Sequence, residues 1–91
     1  MKNIFKTPTS IAENVAENFR NARKAMNITI KELSSRSGVA YSTIKRFEAT
    51  GNISFVSLIK IASVLNMENQ INELFPEPMP TNIQEVIAMN E

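Results

Sequence analysis

Between residues 10 and 75 the apolar positions recur every three or four residues, in short runs broken by turn residues. That spacing is helical; strands would alternate. Ile11, Val15, Phe19, Ala22 and Met26 form the first run, and Ser10 with Glu13 three residues later is a capping-box pattern. A helix is therefore predicted from Ser10, with Asn27 as a left-handed stop. Thr29 and Glu32 repeat the capping pattern and open a second helix over 29–36, with Ile30 and Leu33 inward and Ser37-Gly38 as the turn. A third helix is predicted over 40–48, closed by Gly51, then a fourth from the cap Ser54 to Leu65 and a fifth over 67–74. Three of the four prolines lie in 75–80, which reads as a stiff extended linker. A further short helix over 81–90 would present Ile83, Val86, Ile87 and Met89.

The pattern thus predicts an all-α fold, and 91 residues make one domain of it. The chain lacks cysteine and histidine, which removes disulfides, thiolate metal sites, cysteine nucleophiles and the commonest general base. No apolar run approaches the ~18 residues of a membrane helix, and residues 1–9 lack the ~7–15-residue apolar stretch of a signal peptide. The expectation is a cytoplasmic, nucleoid-associated protein without metal, cofactor or membrane. Charge is unevenly placed. All ten basic residues lie within 1–60, whereas 61–91 carries five glutamates and no base. A basic front suits a polyanion, and the acidic end suggests a separate task. The competing reading is an accidental partition of solvated charge.

Two short helices joined through Ser37-Gly38-Val39 have the layout of a helix-turn-helix. On a wheel of ~100° per residue, Ala40, Ile44 and Phe47 of the third helix fall together, and Tyr41, Ser42, Lys45 and Arg46 fall on the other side. A phenol, a hydroxyl and two cations suit a major groove, where arginine or lysine reads guanine O6 and N7. A merely solvated face would more often carry Glu/Lys pairs four apart.

The segment 29–51, TIKELSSRSGVAYSTIKRFEATG, resembles the helix-turn-helix of the lambda repressor/Cro (XRE) family. The resemblance rests on the spacing of Leu33, Gly38-Val39, Ile44, Glu48 and Gly51, continues into 57–65, and covers about residues 12–75. It implies a compact five-helix lambda-repressor-like domain over 10–75, between a flexible arm at 1–9 and an acidic, proline-containing tail at 76–91. It implies that Tyr41, Ser42 and Arg46 face bases, with Lys45 on bases or phosphate. Thr29, Lys31, Thr43 and Asn52 would meet phosphates, the start of the second helix through its backbone amides. Arg23 and Glu48 match a structural ion pair between the first helix and the recognition helix. Two positions depart from the pattern. Ile30 stands where the family often has glutamine, which leaves Lys31 as the substitute phosphate contact. Ala40 stands where a hydroxyl often caps the third helix, an absence that costs ~1 kcal/mol.

One helix-turn-helix reads few base pairs, so a homodimer is expected. Beyond the inward residues Leu58, Ile61, Ala62 and Leu65, the fourth helix carries a second apolar stripe, Phe55, Val56 and Ile59. The seam would comprise Val56, Ile59, Ile71, Leu74 and Phe75; the alternative is a wider core contact with the fifth helix. Phe47-Glu48, Gly51-Asn52-Ile53-Ser54 and Leu74-Phe75-Pro76-Glu77-Pro78 also resemble HipB-like antitoxins, more loosely. That resemblance implies an autorepressor of a toxin–antitoxin operon with a HipA-type kinase toxin as partner. The other readings are a stand-alone repressor and a protein-only adaptor. An enzyme is not expected: scattered glutamates build no active site, and the serine–lysine self-cleavage of larger relatives needs a further domain.

Overall fold

The structure, a computed structural model, describes residues 6–75 and Pro78. Within them lie five helices: α1 (Pro8–Ala25), α2 (Ile30–Ser37), α3 (Tyr41–Thr50), α4 (Phe55–Val64) and α5 (Glu68–Asn72). The described fold is all-α, and none of its helices is long and apolar enough to cross a membrane. The expected terminal helix over 81–90, most of the tail and residues 1–5 of the arm lie outside the described residues.

Local chemistry sets the helix limits. Helix α1 begins two residues before the expected Ser10. Thr7 is the cap, accepting from the Ser10 amide at 3.0 Å, while the Ser10 hydroxyl accepts from the Thr7 amide at 3.0 Å. Ser10 is thus the third residue of a capping box, and Pro8, whose fixed φ suits the first helical position, starts the helix. Asn27 takes the left-handed conformation expected of it, at φ 56°. The Thr29 hydroxyl accepts from the Glu32 amide at 3.0 Å to open α2. The Ser54 hydroxyl accepts from the Ser57 amide at 3.1 Å to open α4. Ala40 makes no side-chain cap bond at α3. Helix α3 runs past Glu48 to Thr50, because Gly51 terminates it at φ 83° with its amide donating to the Phe47 carbonyl at 2.7 Å. A left-handed Asn66, at φ 59°, separates α4 from a fifth helix shorter than the pattern suggested.

The core gathers Ala16 and Phe19 of α1, Ile28, Leu33 of α2, Val39, Ile44 and Phe47 of α3, and Ile61 and Leu65 from the α4 region. The Phe19 and Phe47 rings meet edge to face, with centroids 5.5 Å apart, the geometry the ring quadrupoles favour. Packing decides what the helical period leaves open. The buried side of α1 is Ala16, Phe19 and Arg23; Ile11, Val15 and Met26 stand on a half-exposed flank beside it. Ala40 is exposed, because as the cap it lies outside the helical wheel on which it was placed.

A polar clamp crosses this core. Arg23 grips Glu48 with two parallel bonds, Nε to Oε2 at 2.7 Å and Nη2 to Oε1 at 2.8 Å. Its Nη1 donates to the Ile28 carbonyl at 2.8 Å. The two side chains are only 9% and 5% exposed. Hydrogen bonding to Glu48 raises the Arg23 pKa above its ordinary value, against the opposing effect of burial. One guanidinium therefore ties α1, α3 and the loop entering α2.

Close backbone approach makes a second constraint. A Cβ on Gly51 would sit 2.7 Å from the Ala12 carbonyl carbon of α1. Gly38 shares the positive φ, yet a Cβ there would meet nothing within 4 Å.

Glu48→Ala should destabilise the fold by ~3–5 kcal/mol, because it strands a buried guanidinium; thermal and denaturant melts measure this, and an unchanged melting point would refute the clamp's structural role. Gly38→Ala should cost the ~1–2 kcal/mol of a left-handed alanine. Gly51→Ala should lose that amount and a further ~1–3 kcal/mol from overpacking against α1. Equal melting shifts for the two glycine variants would contradict the Ala12 contact.

Candidate nucleic-acid interface

The turn between α2 and α3 is tied by its own side chains. The Ser34 hydroxyl donates to the Val39 carbonyl at 2.6 Å, and the Val39 amide donates to the Ser37 hydroxyl at 3.1 Å. Gly38, at φ 77°, closes α2 by donating its amide to the Ser34 carbonyl at 2.9 Å. Leu33, Val39, Ile44 and Phe47 are buried immediately behind the turn. Helix α3 is therefore held on its inner side by apolar packing and by Glu48, and its outer side is free to meet a partner.

Ser42, Lys45, Arg46, Ala49 and Thr50 are exposed on α3, and Tyr41 is half exposed. With Ile44, Phe47 and Glu48 defining the inside, a turn of ~100° per residue sets Ser42, Arg46 and Ala49 opposite the core. Lys45 lies beside them. Tyr41 lies further round, on the line of α3 that carries Glu48. Of the four expected base readers, Ser42 and Arg46 thus share the centre, Lys45 flanks it and Tyr41 stands at the edge.

The expected phosphate contacts are more scattered. Thr29 and Lys31 are exposed at the start of α2, and Ile30 packs partly into the core. Thr43 is half-buried on the far flank of α3, and Asn52 is exposed just after it. The Asn52 amide donates to the Thr50 hydroxyl at 3.1 Å, and that hydroxyl donates to the Arg46 carbonyl at 2.8 Å.

Ala49 is a position the sequence reading missed. It sits in the centre of the outer face, and the same wheel would have placed it there, but a methyl carries no charge or hydrogen bond to draw notice. With Ala49 central and the Thr50 hydroxyl occupied, the long polar side chains of this face are confined to residues 41–46. The cations are available. Among the described residues Glu48 pairs with Arg23, and Glu32 pairs with Arg36 across an exposed 3.6 Å contact. Lys31, Lys45 and Arg46 make no ion pair among those residues.

The fourth and fifth helices pack against each other and leave apolar surface outside. Phe55 is 59% exposed, Val56 62%, Leu74 50% and Phe75 89%, with Ile59 and Ile71 half-buried. Exposed apolar side chains that adjoin one another can serve as an interaction surface.

The sequence profile of the helix-turn-helix family matches residues 19–68, more than half of the chain. The match runs from Phe19 in α1, through α2, the turn and α3, to the first residue of α5. A comparison with curated proteins finds no match. The family is one of DNA-binding regulatory domains and not of enzymes. With its turn, its buried α2–α3 seam and its cationic outer face, the chain belongs to the helix-turn-helix family, of the lambda repressor/Cro (XRE) type, and is a DNA-binding transcription regulator.

Proposed function

We propose that the protein is a homodimeric, sequence-specific repressor that acts by occupying its operator. The observation that carries this reading is the outer face of α3, where Ser42, Lys45 and Arg46 are exposed on a helix fixed from behind by Ile44, Phe47 and the Arg23–Glu48 clamp. Arg46 reads guanine through its two parallel donors, Lys45 reads a neighbouring base or phosphate, and Ser42 adds a hydrogen bond to a nearby edge. Lys31 and the first amides of α2 meet the backbone on one side; Thr43 and Asn52 meet it on the other. Val56, Ile59, Ile71, Leu74 and Phe75 form the seam with a second copy, which sets two recognition helices ~34 Å apart on one side of the duplex.

Leu74 and Phe75 stand exposed where the acidic residues 76–91 begin. That position favours a second activity, that of an antitoxin whose tail docks on a HipA-type kinase and whose DNA-binding domain represses the shared operon. Without such a partner the protein is a stand-alone repressor.

Arg46→Ala should weaken binding by ~1–3 kcal/mol per half-site and relax base preference at one position, and Lys31→Ala should weaken all sequences alike and flatten the salt slope by ~1 per lost contact. Binding assays across a duplex library and a salt series separate the two; a sequence-selective loss at Lys31 would exchange the roles. Sedimentation should show a dimer that Val56→Glu converts to a monomer, and a wild-type monomer with and without DNA would eliminate the seam. For the antitoxin activity, a kinase should co-purify stoichiometrically with the full chain and be lost when 76–91 are removed. Elution of the chain with only itself would leave the repressor alone.

A further inference from the structure

Tyr41 does not share the geometry of the other outward residues of α3. Glu48 points into the protein, toward Arg23 of α1. Tyr41 precedes it by seven residues, about two turns along the axis and only ~20° away around it. Tyr41 therefore stands on the side of α3 that faces α1 and the loop into α2. The same side is marked by the Arg23 bond to the carbonyl of Ile28, the residue next to the α2 cap Thr29. The Tyr41 phenol lies close enough to Arg23 to enter its electrostatics, which agrees with a ring turned that way.

The centre of the groove-facing side, at Ser42, Arg46 and Ala49, lies ~100° away from Tyr41. The residue is 49% exposed, so it is neither core nor fully extended into solvent. Its hydroxyl makes no hydrogen bond among the described residues. A phenol offers one donor on a rigid arm. A single hydroxyl distinguishes base pairs poorly, because donors and acceptors are both open to it. A phosphate oxygen accepts from it without ambiguity, and tyrosine is among the side chains that make such positioning contacts.

We infer that the Tyr41 hydroxyl reads the DNA backbone: it donates a hydrogen bond to a phosphate at the edge of the groove next to the start of α2, and it reads no base. The inference rests on the DNA-binding reading above and assigns Tyr41 the task of setting how α3 is seated in the groove. Lys31 and Tyr41 then hold the same groove edge, one as a point charge and the other as a neutral donor.

The test uses the full chain and a duplex that it selects from a randomised library. Tyr41→Phe removes only the hydroxyl, and the melting point should stay unchanged. Its affinity for the selected duplex should fall roughly tenfold per half-site, the worth of a hydrogen bond to a charged group. The loss should be the same on every single-base-pair variant of that duplex. The salt slope should match the wild type, since a neutral hydroxyl releases no counterion. Replacing phosphates by uncharged methylphosphonates, one position at a time in both half-sites together, should find one position at which wild type and variant bind alike. A loss confined to one base pair would overturn the inference and make Tyr41 a base reader. Unchanged binding to every duplex would overturn it too, leaving the hydroxyl without a DNA contact. If the wild-type chain selects no duplex, the DNA-binding reading fails and this inference fails with it; the other two outcomes leave that reading intact.

Discussion

The bidentate bond between Arg23 and Glu48 is the contact on which the rest of the structure depends. Burying two charges costs several kcal/mol per ion, and their attraction repays this only when geometry is good and the remaining donors are met. Here both conditions hold, with two short parallel bonds to the carboxylate and a third donor spent on the Ile28 carbonyl. Parallel charge-assisted bonds are directional as well as strong. The guanidinium therefore fixes the rotation of α3 relative to α1 and the path of the loop that starts α2.

That fixed rotation organises α3. Ile44 and Phe47 close the core, Glu48 joins the clamp, and the remaining positions look outward. The helix is short and lacks a side-chain cap, so its own propensity gives it little stability. Its order comes from what it packs against: Phe19 at its inner ring, the α1 backbone at Gly51 and the bonded turn at Ser34 and Val39. A recognition surface needs such rigidity, because side chains are presented to base edges with little freedom to adjust. The first six residues of α3 carry the polar reach, and the last turn, with Ala49 and the occupied Thr50 hydroxyl, anchors the helix to the Gly51 contact.

Much of this was legible in the chain, for identifiable reasons. Capping residues act within three positions of themselves, so Thr29 and Ser54 announce their helices without help from the rest of the fold. Gly38, Gly51 and Asn27 mark left-handed stops because few other residues accept a positive φ cheaply. The helix-turn-helix spacing of Leu33, Gly38, Ile44 and Gly51 was likewise readable, as was the polar side of α3. What was not legible in the packing of α1 depended on contacts between distant residues. On α1 the periodicity of Ile11, Val15, Ala22 and Met26 identified a helix with apolar residues, but Phe19 belongs equally to that stripe and to the neighbouring one that packs. Position in the chain could not choose between them. The start of α1 was misplaced because two capping patterns overlap at Ser10, and only the bonds to Thr7 decide which is used.

The sequence by itself determined the helical class, the order of the elements, the stops between them and the residue types offered by α3, because caps, glycines and a 3.6-residue period are local properties of the chain. Tertiary structure decided which stripe of α1 is buried, and that the line of α3 shared by Tyr41 and Glu48 turns toward α1 while Ser42 and Arg46 face outward. Those outcomes depend on how α1 and α3 are turned against each other. That rotation is set by Arg23 and by the approach of Gly51 to Ala12, contacts between residues distant in the chain whose geometry no local pattern encodes.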